Sequence, residues 1–298
     1  MRAGKGLSMA DVEKTAVVTG VSSGIGRAIA KALIDAGWRV FGSVRKEKDA
    51  RDAAAALGSK FTPLLFDVTD AQSVRAAALK VETTLQGRTL NALVNNAGVA
   101  VAGPLRYLPL EDLERQLDIN VFGPIRVTQA FLPMLGADAR FTGPKGRIVN
   151  MSSVAGRNAL PFMSPYAMSK HALEAMSESL RRELSVHGID VVVIGPGVVT
   201  TPIWAKADDM NVAAYEKTEY GPLIAGMKAS MLAYGQTGIP PEDVGALVLR
   251  VLTAKTPKTR YAILKNKFML WTLPQILPKR MVDRIVAKRF NMPARAHT

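Results

Sequence analysis

The chain has 298 residues, 48% of them hydrophobic, enough to bury one substantial core. It has no cysteine, which excludes disulfides and thiol catalysis and suits a reducing compartment, so the expected location is cytoplasmic. His171, His187 and His297 show no ligand spacing, so no histidine-based metal site is expected, and the formal net charge is +14.

Residues 1–12, MRAGKGLSMADV, lack the continuous apolar stretch of a signal peptide and read as a flexible leader. AVV at 16–18 is the first strand, and the helix through RAIAKALIDAG stops near Gly37. RVFGSV at 39–44 and FTPLLF at 61–66 are the second and third strands. A helix over TDAQSVRAAALKVETTL leads to a strand in LNALVNN at 90–96, and a long helical pattern covers 110–135. RIVNMS at 147–152, a helix behind Pro165, DVVVIG at 190–195, a helix in PPEDVGALVLRVLTA and RYAIL at 260–264 complete the series. Apolar runs buried on both faces, alternating with helices, predict a Rossmann-type, doubly wound parallel sheet in one α/β domain over 13–264. Residues 198–239 have weak periodicity and several glycines and read as a mobile substrate lid at the sheet's carboxyl edge. Residues 265–298 form a basic extension.

The first strand runs into TGVSSGIG at 19–26 and then a helix. Gly20, Gly24 and Gly26 allow a tight turn and close approach of a ligand to the backbone. The helix N-terminus that follows offers N–H groups and positive potential to a pyrophosphate. The glycine spacing departs from G-x-G-x-x-G. In SPYAMSK, residues 164–170, Tyr166 and Lys170 lie one turn apart on one helix face, behind a proline suited to the first turn. A phenol beside a fixed ammonium ionises more easily; the same spacing also suits a ring packed on a lysine stem.

TGVSSGIG (19–26), DVTD (67–70), NNAG (95–98), Asn120 in DIN, Ser153 in MSS, YAMSK (166–170) and PG (196–197) occur together and in order. In this the chain resembles the short-chain dehydrogenase/reductase family over residues 13–264. The resemblance implies a catalytic set of Asn120, Ser153, Tyr166 and Lys170, with Ser153 rather than Ser152 at the usual spacing from the tyrosine. Hydride transfer to a ketone leaves an alkoxide needing a proton, and Tyr166 can supply it. Lys170 and an oxidised nicotinamide would lower its pKa from about 10. Pro124 has no N–H to give the Asn120 carbonyl four residues earlier, which leaves that oxygen open to a water or simply kinks the helix. The resemblance implies such a water, in a proton relay through Lys170.

The cofactor contacts implied are Gly20, Ser22, Ser23, Gly24, Ile25 and Gly26 in the loop, Tyr166 and Lys170, with Ala97 and Gly98. Asp67 and Val68 would hold the adenine, Asn95 the ribose, and Pro196, Gly197, Val199 and Thr201 would border the nicotinamide. Val44 stands where an NAD-preferring member carries an acidic residue, and Arg45 and Lys46 follow it. An arginine fork matches a 2′-phosphate, so NADP(H) is expected over NAD(H). The apolar residues Val99 to Val101, Leu160 to Met163, Ile203 and Trp204 predict a hydrophobic carbonyl or alcohol of steroid, retinoid or aliphatic type. A 3-oxoacyl thioester reductase is the alternative enzyme. A non-catalytic NADP(H) sensor is the alternative class, though it would have no need of the four polar residues.

From Lys255 onward, eleven lysines and arginines face Asp283 alone. A nucleic-acid binder would not segregate its charge in this way. The tail resembles those of the retinol, hydroxysteroid and 3-hydroxybutyrate dehydrogenase branch. It reads as a flap over the substrate pocket, the favoured reading, or as a segment lying on an anionic membrane surface. The family resemblance further implies a homodimer or homotetramer.

Overall fold

Thr15–Val18 (β1) is buried along its whole length, and its side chains alternate between two cores, Ala16 and Val18 to one and Val17 to the other. The computed structural model describes residues 13–202 and 212–292, so the predicted leader lies outside the described residues. The remaining strands are Arg39–Val44 (β2), Phe61–Leu65 (β3), Ala92–Asn95 (β4), Arg147–Met151 (β5), Asp190–Pro196 (β6) and Arg260–Ile263 (β7). All seven pair in parallel in the order β3-β2-β1-β4-β5-β6-β7. The order reverses between β1 and β4, which leaves a crevice beyond their carboxyl ends.

Helices cover both faces, as buried parallel strands require. Gly24–Asp35 (α1), Glu47–Leu57 (α2) and, far along the chain, Pro241–Thr253 (α8) pack one face through Ile29, Leu33, Ala53, Val244 and Val248. Ala71–Leu85 (α3), Gly123–Phe131 (α5) and Ser164–Glu183 (α6) pack the other, where Val81, Val127 and Phe131 are fully buried.

Three segments hold more structure than the sequence pattern showed. The single helical pattern over 110–135 is divided: Leu110–Leu117 (α4) runs into a π-turn at Asp118–Phe122, then α5, then a 3-10 turn at Pro133–Leu135. Pro124 cannot donate, and the Gly123 N–H bonds instead to the Asp118 carbonyl five residues back. The excursion at 198–239 holds a 17-residue helix, Gly221–Thr237 (α7), whose apolar residues lie all round it and so give no period. Its two ends are joined, for Val199 pairs with Ile239, Ile239 N donates to Val198 O and Thr200 N to Ile239 O. The basic extension is helical too, with a π-turn at Phe268–Thr272, then Leu273–Ile276 (α9) and Lys279–Arg289 (α10). Among the described residues no helix is long and apolar enough to cross a membrane.

Candidate active site

The crevice at the strand-order reversal is floored by the turn between β1 and α1. A Cβ on Gly26 would stand 2.1 Å from the Gly20 carbonyl oxygen, and Gly20 itself has φ +73°. The turn therefore admits only glycine at both positions. Ser43 Oγ accepts from Gly20 N at 2.9 Å, and Thr19 Oγ1 accepts from Asn96 N and Ala97 N at 2.9 Å each, so the ends of β1, β2 and β4 are tied together beneath the crevice. Ser23 precedes α1 in extended conformation and makes no side-chain cap, and no acidic residue stands in the helix's first turn. Those first N–H groups are what a pyrophosphate needs.

The crevice wall comprises Gly20, Ser22, Ser23, Gly24, Ile25, Gly26, Arg45, Lys46, Asp67, Val68, Ala97, Gly98 and Thr201, all expected from sequence, together with Ser43, Val44, Asp49, Asn96, Val99 and Pro202. Arg45 and Lys46 stand at its mouth just past β2. The Arg45 guanidinium lies 3.8 Å from the Asp67 carboxylate, and its side chain is 62% exposed.

Asn95, Pro196, Gly197 and Val199 are not part of that wall. Asn95 is buried in the sheet, its amide donating to Thr128 Oγ1 at 3.1 Å and Asn150 Oδ1 at 2.8 Å, and its neighbour Asn96 reaches the crevice instead. Strand alternation decides which of the pair faces out. The Val199 side chain packs into the core, Gly197 N is held by the Ile263 carbonyl at 2.8 Å, and Pro196 turns its carbonyl to Ser153 Oγ at 3.4 Å.

Gly98 joins this crevice to a second group of polar residues, for the space beside its Cα is bounded by Asn120 Oδ1 and Lys170 Nζ. Asn120, 1% exposed in the π-turn, donates to Val99 O and accepts from Val99 N, both at 2.9 Å, and donates to Ser169 Oγ at 3.1 Å. Ser169 Oγ in turn donates to the Tyr166 carbonyl at 2.8 Å. Lys170, 6% exposed, donates to Met151 O at 2.8 Å, and its ammonium lies 5.8 Å from the centre of the Tyr166 ring. The two serines part company: Ser152 Oγ donates to Glu174 Oε1 at 2.9 Å, whereas Ser153 Oγ donates to the Pro196 carbonyl at 3.4 Å, accepts from Ala155 N at 3.1 Å and lies near the Tyr166 hydroxyl, whose ionisation it favours.

Burial pushes the Lys170 ammonium down to about 8, against the upward pull of Glu174, so it is mostly charged at neutral pH. Burial also raises Tyr166 above the usual phenol value, and the nearby Ser153 hydroxyl only moderates this. The phenol therefore keeps its proton at neutral pH. The lowering expected from Lys170 together with an oxidised nicotinamide concerns the loaded site.

Phe162, just before α6, joins Tyr215, Ile224 and Met227 in an apolar cluster with Met163, Tyr220 and, from the extension, Phe290 packed against it. Tyr220 meets Phe162 and Tyr107 edge-on, and Glu219 holds Tyr107 and Arg106. Of the predicted pocket residues, Phe162 and Met163 are in this cluster, Leu160 is exposed, and Ile203 and Trp204 lie outside the described residues.

A short chain dehydrogenase family model matches residues 14–212. The chain belongs to the short-chain dehydrogenase/reductase family. An NADPH-dependent 3-dehydrocapnine reductase from Ornithobacterium rhinotracheale is 40% identical over 273 residues, 92% of this chain and 96% of the relative. Retinol dehydrogenase 5 from Homo sapiens is 34% identical over 297 residues, 94% of this chain and 89% of the relative. Among solved structures, a short-chain dehydrogenase from Streptomyces avermitilis superposes with a TM-score of 0.73 at 28% identity, covering 94% of this chain and 97% of that one. As a short-chain dehydrogenase/reductase, the chain is an oxidoreductase acting on CH–OH and carbonyl groups and binds a nicotinamide cofactor.

Sequence reading missed Gln116, which is fully buried one turn before Asn120. It accepts from Val101 N at 2.6 Å and donates to Val99 O at 2.8 Å, so two amides clamp one short stretch of backbone. A polar residue four positions before Asn120 was the available signal. Gln116→Leu should leave the buried Val101 N–H unpaired and lower stability by about 1–3 kcal/mol in urea denaturation. A loss below the error of that measurement would refute the clamp.

Proposed function

We propose that this short-chain dehydrogenase/reductase uses NADP(H) to interconvert a hydrophobic ketone or aldehyde and its alcohol, with Tyr166 as the proton donor and acceptor. The observation that carries this reading is the meeting of Tyr166, Ser153, Lys170 and Asn120 beside Gly98, where the glycine-floored crevice ends. A bound nicotinamide would supply or take up the hydride. Ser153 donates a hydrogen bond to the substrate oxygen where negative charge develops. The Tyr166 hydroxyl delivers its proton to the same oxygen, and the raised phenol keeps that proton in place at neutral pH for reduction. The Lys170 ammonium offsets the phenolate left behind. The Asn120 carbonyl, with proline four residues on, holds a water that returns a proton through Lys170.

The uncapped start of α1 receives the pyrophosphate, and Arg45 with Lys46 receives the 2′-phosphate, with Val44 offering no carboxylate to repel it. The name of the bacterial relative, an NADPH-dependent reductase, points the same way. The apolar cluster supports a hydrophobic substrate of retinoid, steroid or aliphatic type, and the retinol dehydrogenase relative agrees with this class. Leu110, Phe122 and Met168 are exposed on α4, the π-turn and α6, a face that a second copy would cover in a homodimer or homotetramer.

The extension serves as roof and as docking surface. Phe290 closes over the apolar cluster, and Lys265 donates to the Thr237 carbonyl at the end of α7. On its outside, Phe268, Met269, Leu270, Ile276, Met281 and Ile285 are exposed among Lys267, Lys279, Arg280, Arg284 and Lys288. On α10, Met281, Arg284, Ile285 and Lys288 share one face. This chemistry fits an anionic lipid surface, from which an apolar substrate would enter.

Tyr166→Phe should lower ketone reduction by about 10²–10⁴-fold while NADPH still binds, in an assay of NADPH oxidation with retinal, steroid ketones and long-chain aliphatic ketones. Substantial residual turnover would sink the assignment. Val44→Asp with Arg45→Ala should weaken NADPH about tenfold and favour NADH. A wild-type enzyme that already prefers NADH in steady-state kinetics would overturn the cofactor reading. At low salt the enzyme should pellet with phosphatidylglycerol vesicles and not with phosphatidylcholine vesicles, and Lys279→Glu/Arg284→Glu/Lys288→Glu should stay in solution. Each basic residue near such a surface contributes about 1 kcal/mol. Negligible pelleting with both lipids would rule out the membrane role.

A further inference from the structure

Glu174 lies on α6 one turn beyond Lys170, and its side chain is only 5% exposed. Both carboxylate oxygens are used. Oε1 accepts from Ser152 Oγ at 2.9 Å and from an Arg260 Nη at 2.7 Å; Oε2 accepts from Arg260 Nε at 2.8 Å and Arg157 Nε at 2.9 Å. The Arg260 fork is thus bidentate, and the same Nη donates to the Ser153 carbonyl at 3.3 Å. The chain leaves room for this assembly. A Cβ on Gly195 would stand 2.7 Å from the Arg260 Nη, and one on Gly156 would stand 2.7 Å from Glu174 Oε1.

The other side of the guanidinium is covered from the C-terminal extension. The Trp271 ring lies over Arg260 Cζ at 4.0 Å, a stacked cation–π contact. The neighbouring Leu270 carbonyl accepts from Asn158 Nδ2 at 3.4 Å, in the loop that follows Ser153. The extension is thereby tied at two points to the segment that carries the serine.

We propose that Glu174 and Arg260 are positioning residues for Ser153 and Lys170, and that Trp271 locks them, making the C-terminal extension a determinant of turnover. Glu174 fixes the Ser152 hydroxyl and Arg260 the Ser153 carbonyl. Together they set the backbone angle from which Ser153 Oγ reaches Tyr166. Through the same helix turn, the Glu174 charge favours the ammonium form of Lys170. Burial alone would raise the Glu174 carboxyl, but Arg260, Arg157 and Ser152 outweigh it and hold the group ionised. The groups facing Lys170 are Tyr166 and Glu174 on its own helix, the Met151 carbonyl of β5, Asn120 of the π-turn and Gly98 beyond β4; Arg157 and Arg260 act on it only through Glu174.

This inference rests on the roles given above to Ser153, Tyr166 and Lys170. Steady-state NADPH oxidation with the fastest ketone of the panel tests it across pH 6–10. Trp271→Ala should lower kcat by about three- to tenfold with the KM for NADPH unchanged, and Trp271→Phe should recover most of the loss. Glu174→Gln removes the charge that favours the ammonium, so the fall in rate at high pH should begin at lower pH than in the wild type. A Trp271→Ala enzyme with full kcat would overturn the lock, and an unmoved high-pH limb in folded Glu174→Gln would overturn the role towards Lys170. A measurement that needs no substrate runs beside these: amide hydrogen exchange over residues 152–158 should quicken in Trp271→Ala, and unchanged protection would also overturn the lock. An inactive Tyr166→Phe alongside a fully active Trp271→Ala would refute this inference alone.

Discussion

An ammonium taken out of water must be surrounded by oxygens, and the site is organised around that need at Lys170. The Met151 carbonyl at the end of β5 meets it directly, and Glu174 sits one helix turn beyond. Holding the lysine there fixes α6 against β5, which in turn fixes where Tyr166 stands relative to Ser153. Asn120 closes the far side through Ser169 and the Val99 backbone. Carboxyl ends of neighbouring strands, a π-turn and one face of a helix thus converge on a single cation.

The same constraint explains the mixture of rigid and adaptable parts. Below the reacting groups, the crevice floor is backbone tied to backbone and small hydroxyls: Thr19, Ser43 and Asn96 join three strand ends. The apolar cluster is aromatic rings and flexible methionines drawn from three separate segments. Apolar contacts of this kind are non-directional and accept different shapes, whereas the hydrogen bonds below accept one. The chemistry stands on the rigid side.

How much of this was legible in the sequence follows from the range of the interactions. Strands with two buried faces and helices with one apolar stripe announce themselves locally, so every strand from AVV to RYAIL was placed within about two residues. The loop at 19–26 was readable because only glycine fits its backbone. The π-turn was half legible: Pro124 marked the break but not the one-residue offset of the ladder that puts Asn120 in it. α7 was hidden because its apolar residues cover its whole circumference. Glu174 and Arg260 escaped because their partners lie 22 and 86 residues away, beyond any local pattern, whereas Gln116 left one local signal, its place one turn before Asn120. Asn95 was expected at the ribose and Asn96 was given no role, because neighbours on a strand differ only in the face they occupy; Asn96 is the one on the crevice wall.

The joined ends of the excursion at 198–239 separate two kinds of change. Val198 to Thr200 pairs with Ile239 directly beyond the sheet, so the chain leaves and returns at one point. Whatever lies between those residues can be lengthened, shortened or rewritten without altering the register of a single strand. Insertions there cost little, since loop closure depends only weakly on length. On the proposed function, that stretch can be rewritten to change substrate choice while the groups around Lys170 stay in place.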